Sequence, residues 1–199
     1  MAEAMTSRQR FLLAMTGSQP DRVPCAPDFS NMIPCRLTGR PFWDIYLHQD
    51  PPLWKAYIDA ANHFGIDAWF FNGSLDFQRE GEVRHEQRIE SRTQDRIVQR
   101  TTLDTGQGEL TYQVTYYSDN PPTVTEKAIK DLRRQFHLLR HFFRRPVAYA
   151  TDTVQRQRAC LGDAHAFGTS VGYPGFHSWA GLCVGGVEQL AYALADCPA

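Results

Sequence analysis

Residues 164–179 read Ala-His-Ala-Phe-Gly-Thr-Ser-Val-Gly-Tyr-Pro-Gly-Phe-His-Ser-Trp. Up to Val171 the run is apolar with small residues and no helical stripe, which suits a strand buried on both faces. Gly172-Tyr-Pro-Gly175 then stops it, because Pro174 cannot continue a ladder and glycine accepts the positive φ of a tight turn. Tyr173, Phe176, His177 and Trp179 follow at the carboxyl end of that strand. Groups just past the carboxyl end of a buried parallel strand are where α/β folds place their ligands.

The totals set bounds on either side of this stretch. A chain of 199 residues is long enough for one large domain with a substantial core. Lys+Arg 21 against Asp+Glu 22 leaves a net charge of −1, so no long-range field points to nucleic acid or an anionic membrane. No apolar run reaches membrane-spanning length, and the N-terminus lacks the layout of a signal peptide, so a cytoplasmic protein is expected. Five scattered cysteines without a Cys-x-x-Cys imply neither a disulfide framework nor a zinc knuckle. Each of Cys25, Cys35, Cys160, Cys183 and Cys197 reads as a small buried hydrophobe.

Taken in order, Thr6–Met15 predicts a short helix capped by Thr6 or Ser7. Val23-Pro-Cys-Ala-Pro27 predicts a first extended strand that delivers Asp28 and Asn31 to a loop. Pro51–Phe64 predicts a helix with Leu53, Tyr57, Ala60, Ala61 and Phe64 as its stripe and Gly65 as a left-handed cap. Ile66–Phe71 predicts the second buried strand, ending at Asn72. Between Glu82 and Tyr117 the apolar residues are spread through β-prone polar sequence around a turn at Asp104–Gly108, which predicts an antiparallel insertion. Asp131–Arg145 predicts a helix whose many cations read as a solvated face. Pro146–Ala150, a helix from Asp152 to Leu161, the strand described above and a helix over Glu188–Ala195 complete the pattern.

Four strand-then-helix units with one β insertion suit the first half of a (β/α)8 TIM barrel, a fold that takes about 250 residues when complete. A small open α/β sheet is the other reading, although no Gly-rich phosphate loop follows the first strand. On the half-barrel reading, residues 1–199 are a single domain cut short at its C-terminal side, with 82–117 inserted in it. Half a barrel leaves open sheet edges, so a homo-oligomer or the missing half is its expected partner.

Several of these segments resemble the uroporphyrinogen decarboxylase superfamily, which includes the decarboxylase and the methyltransferases acting between corrinoids and thiols such as coenzyme M. Met5-Thr-Ser-Arg-Gln-Arg-Phe-Leu-Leu-Ala-Met15 followed by Gly17-Ser-Gln-Pro-Asp-Arg-Val-Pro24 is similar to the family's opening signature. Phe64-Gly-Ile-Asp-Ala-Trp-Phe-Phe71 resembles its second strand, and Pro121–Leu132 the approach to its next helix. Gly172-Tyr-Pro-Gly-Phe176 and the run from Gly186 to Pro198 resemble its fourth unit. The resemblance spans nearly the whole chain but only the N-terminal half of the family's barrel.

Two departures choose the branch. Where the decarboxylase carries an Arg-Gln-Ala-Gly-Arg motif for substrate carboxylates, this chain has Phe29-Ser-Asn-Met-Ile33 without a cation. Where it carries an aspartate at the tip of its second strand, this chain has the neutral Asn72. The resemblance therefore implies a cobalamin-dependent methyltransferase-like protein, acting on a corrinoid, as free substrate or on a partner protein. Porphyrinogen decarboxylation and an inactive truncated half-barrel are the alternatives. In that branch a zinc held by His and two Cys activates the acceptor thiol, and such ligands are expected in the missing C-terminal half, none of them here. The expected catalytic residues are His177 and Asn72, with Asp28, Asn31, Tyr173, Phe176 and Trp179 against the substrate.

Overall fold

The computed structural model describes residues 5–28, 30–170 and 175–196, and for 69–74 and 169–170 it describes the backbone. In chain order come α1 (Ser7–Met15), α2 (Met32–Leu37), α3 (Phe42–Tyr46), α4 (Leu53–Phe64), β1 (Trp69–Ser74) and β2 (Asp76–Arg79). Then follow β3 (Arg84–Arg92), β4 (Arg96–Asp104), β5 (Glu109–Tyr117), β6 (Thr123–Glu126) and α5 (Leu132–Leu139), which runs into a 3-10 turn at Arg140–Phe142. The chain continues through β7 (Pro146–Ala150), α6 (Asp152–Leu161), β8 (Ala166–Ser170), α7 (Phe176–Leu182) and α8 (Gly186–Asp196). Among the described residues no helix is long and apolar enough to cross a membrane.

Contacts divide the chain into two compact units, Met1–Asp76 with Tyr149–Val171 and Phe77–Ala148 with Gly172–Ala199. In the first unit, α1 starts at a reciprocal capping box: Gln9 N–H donates to Thr6 Oγ1 and Thr6 N–H to Gln9 Oε1. Helix α4 ends at Gly65, whose φ of 62° supplies the left-handed cap. Its Ile58 and Ala61 bury against Ile66, Ala68 and Leu161, with Tyr57 and Phe167 packed around them. A second small core joins Cys35, Phe42 and Ile45 of α2 and α3 to Leu53. Phe64 does not finish the α4 stripe as its spacing predicts: it is half exposed, with His63 edge-on to it.

The second unit is built on an antiparallel sheet in the order β3-β4-β5-β6. The β4–β5 hairpin is in register from Arg96↔Tyr117 to Asp104↔Glu109. Its turn is fixed by Asp104 Oδ1 accepting from Gly106 N–H and by Thr105 bonding Gly108 O through both its amide and its hydroxyl. Alternation sends Leu103 and Leu110 into a core with Ile129, Leu138, Leu139 and Cys183. On another face of the sheet Arg100 bridges Glu90 at 2.6 Å and Glu126 at 3.1 Å, and all of β3 is exposed.

The strands do not form a half barrel or any TIM-barrel arrangement, which corrects the expected fold class. Two departures account for this. Residues 23–28 make no strand: Pro24 and Pro27 have no N–H to offer a ladder, and Cys25 is held by Asp67 instead. Moreover, β1 pairs β8 in parallel while β7 pairs β2, so the expected strands fall into separate small sheets. The fold is mixed α/β with small sheets, and the described strands close no barrel.

Candidate functional site

The strongest electrostatic feature of the first unit is built on Asp67, which follows the α4 cap and is fully buried. Arg10 of α1 reaches it at 2.5 Å, and Arg22 holds the other carboxylate oxygen at 2.6 Å. The Cys25 N–H adds a bond of 3.0 Å to that oxygen, and Asp67 N–H returns one of 2.8 Å to Cys25 O. Arg10 also forks onto Asp21, with Nε to Oδ1 at 2.6 Å and Nη2 to Oδ2 at 2.9 Å. Burial pushes the Asp67 carboxyl up, but the bonds from Cys25, Ser7, Arg10 and Arg22 outweigh it and hold the pKa below the usual carboxylate value. The hydrogen bond from Arg10, more than the cost of burial, holds Asp21 low in the same way.

This clamp fixes the chain just before Asp28, the first of the expected binding residues. Asp28 Oδ1 accepts from Ser30 N–H at 2.8 Å, an Asx turn that carries Ser30 into the left-handed region at φ 49°. Ser30 Oγ accepts in turn from Met32 N–H, starting α2. Asn31 is placed at that start, where its Oδ1 takes a 2.5 Å hydrogen bond from the Tyr57 hydroxyl of α4. The helical spacing predicts a core position for Tyr57, and the residue does both jobs: its ring packs on the α4 core and its hydroxyl reaches Asn31. The Tyr46 hydroxyl of α3 is buried without a close hydrogen bond and faces Asn31 and the Cys35 thiol.

The chemistry of this cluster follows from its burial. Tyr46 and Tyr57 are both pushed up, first by burial, then by neighbouring groups that include Cys35 for Tyr46 and Asp28 for Tyr57. Burial raises the Cys35 thiol to about 11, although the nearby Tyr46 hydroxyl pulls the other way. Both phenols and the thiol are therefore protonated at neutral pH, and Cys35 is a poor nucleophile there. Asp28 and Asn31 offer a carboxylate and an amide, a pair suited to orienting the polar edge of a small ligand, while the Tyr57 hydroxyl is committed to Asn31 and the Tyr46 hydroxyl is buried.

The expectation that every cysteine is buried is corrected here. Cys35 and Cys183 are buried, whereas Cys25 in the proline segment and Cys160 on α6 are exposed. Alkylation of the folded chain at neutral pH should modify Cys25 and Cys160 within minutes and spare Cys35 and Cys183 until denaturant is added. Peptide mapping of the labelled chain reads this directly, and early labelling at Cys35 would contradict its burial.

The other expected residues are distributed as follows. Asn72 lies on β1, with its side chain outside the described residues, as is all of Tyr173. Phe176, His177 and Trp179 share the opening turns of α7 in the second unit. His177 is exposed beside Phe176. Trp179 meets Phe136 edge-on at 6.4 Å and Phe143 at 5.7 Å, so it is an aromatic packing residue as well as a potential wall.

Among the described residues no three His, Cys, Asp or Glu side chains are grouped to hold a metal ion. The described donor set therefore does not fit the zinc that the methyltransferase branch implies, and no step is derived through one. No protein-family model matches the chain, and no curated protein or solved structure matches it either.

Proposed function

We propose that the chain belongs with the uroporphyrinogen decarboxylase superfamily on its methyltransferase-like side, and serves methyl transfer between a corrinoid and a thiol or related acceptor. The observation that supports this reading is the Asp67 clamp. Arg10 lies in the opening signature, Asp21 and Arg22 in the motif after it, and Asp67 in the Phe64–Phe71 segment. Three stretches that carry the resemblance thus share one buried ionic centre, which gives their residues a physical reason to occur together. The clamp positions the Asp28–Asn31 turn. There Asn31 accepts from Tyr57 through Oδ1 and turns its amide toward the Tyr46 hydroxyl, which leaves one of its two N–H donors for a ligand carbonyl or carboxylate.

The test is a titration of the full chain with hydroxocobalamin and methylcobalamin, followed by corrin absorbance. A saturable spectral change that weakens about tenfold in Asn31→Leu is the expected result, the scale of one lost hydrogen bond to a charged or polar ligand group. No saturable change with either corrinoid overturns the reading. In parallel, coproporphyrinogen formation from uroporphyrinogen should lie at least about a hundredfold below that of an active decarboxylase. The reason is that residues 29–33 supply no guanidinium for the substrate carboxylates. Turnover near the control would return the chain to the decarboxylase branch.

A further inference from the structure

In the second unit, α5 and α8 leave a cleft of about 430 Å³ between them. Leu132, Phe136, Ala193 and Leu194 line it with apolar surface, and Arg133 and Asp196 supply its charged groups. Phe136 is nearly half exposed here, and Trp179 braces its ring edge-on from α7. The volume lies in the range of small-molecule sites, roughly 300–1,000 Å³. A large aromatic and a leucine left open beside a paired cation and anion call for a ligand with an apolar body and a charged head.

The charged pair specifies the head. Arg133 Nη2 stands 3.4 Å from Asp196 Oδ2, longer than the roughly 2.7–2.9 Å of a charge-assisted bond. Both side chains are well exposed, at 77% and 60%, so their contact contributes little stability and is cheaply rearranged. The guanidinium keeps unused N–H donors for a carboxylate, and the Asp196 carboxylate keeps a second oxygen for an ammonium. A ligand bearing both charges on neighbouring atoms completes a four-membered ring of alternating charge without separating the pair.

We propose that the α5–α8 cleft binds the zwitterion of a free apolar α-amino acid, its carboxylate on Arg133, its ammonium on Asp196 and its side chain on Phe136, Leu132 and Leu194. This goes beyond the methyl-transfer reading and rests on different residues. A peptide does not satisfy the site, because its ammonium and carboxylate stand at opposite ends of the chain. The cleft is shallow and the ligand small, so the dissociation constant is expected at about millimolar.

Equilibrium dialysis of the full chain with labelled L-phenylalanine tests it, with phenylpropionate and phenethylamine as the same body lacking one charge or the other. Phenylalanine is expected to bind roughly tenfold more tightly than either analogue, the scale of one charged hydrogen bond. Arg133→Gln should remove the preference over phenethylamine, and Asp196→Asn the preference over phenylpropionate. Both positions are exposed, so folding is preserved, and circular dichroism verifies it. Absent binding at ten times the expected concentration overturns the proposal. Equal binding of all three ligands, or selective binding indifferent to both substitutions, does so as well.

Discussion

Replacement of Asp67 by asparagine is expected to destabilise the first unit by about 3–5 kcal/mol, because it leaves buried cation without a counter-ion. Arg10 is almost as buried as the carboxylate it holds, with 7% of its side chain exposed. In Asp67→Asn the guanidinium of Arg10 faces a neutral amide, and Arg22 loses its carboxylate partner as well. Asp21 remains on Arg10 but is itself partly exposed and cannot occupy the inner position. Total stability is typically about 5–15 kcal/mol, so the substitution removes a large part of it. Urea unfolding gives the number, and a loss below 1 kcal/mol would mean that solvent reaches the site. The double change Arg10→Met with Asp67→Leu should recover much of the loss, since a buried ion pair often exchanges for apolar groups at little cost.

The same carboxylates give the clamp a pH signature. Their folded-state pKa values lie below the ordinary carboxylate value, so their stabilisation is fully present above the unfolded value of about 4. It is lost as pH falls through the depressed folded values. The wild-type chain should therefore lose stability steeply on acidification below about pH 4, while Asp67→Asn lacks the Asp67 share of that slope.

What the sequence makes legible is local. The Thr6-x-x-Gln9 box, Gly65 after α4 and Gly162 after α6 mark helix ends through backbone chemistry that needs no distant partner. The hairpin at Asp104–Gly108 is equally self-contained, and Gly108 is doubly required, since a Cβ there would lie 3.1 Å from Leu138. Partner choice was not legible. Pro146–Ala150 reads as a short strand and forms one, but nothing in it shows that β7 is exposed throughout and pairs β2. Its five residues carry no signal for which edge they join, and the pairing depends on a distant segment. The helices α2 and α3, of six and five residues, are too short to show a periodicity in the sequence.

For the candidate site the division is similar. Asp28 and Asn31 are legible as polar residues between apolar runs, and the structure places both at one turn. Tyr57 carries a helical-stripe signal that hides its polar end. Tyr46 and Cys35 become members only when α2 and α3 fold onto α4, a long-range event that no window of sequence contains. Arg10 and Asp67 are separated by 57 positions, and nothing local distinguishes Arg10 from Arg8 two residues earlier, whose side chain pairs with the exposed Asp163.

In the second unit the largest expected effect comes from Ile129. Its side chain is fully buried among Leu103 and Leu110 of the hairpin, Leu138 and Leu139 of α5, and Cys183 between α7 and α8. Its backbone also joins that last segment as a short parallel bridge, with N–H to Leu182 O and Val184 N–H to its own carbonyl, both at 2.9 Å. Ile129→Ala should therefore cost about 2–5 kcal/mol, the lost transfer energy plus a cavity that the hairpin, α5 and the α7–α8 link must all move to close. Ile129→Val should cost only about 0.5–1.5 kcal/mol, because one methyl group is lost and the branched shape is kept. Ile89→Ala, at a half-exposed position on β3, should stay within about 0.5 kcal/mol. Both Ile129 variants leave the backbone bridge intact, so a graded loss from valine to alanine assigns the stability to packing. A similar cost for valine and alanine would instead place it in the geometry of the bridge, with the side chain merely filling space beside it.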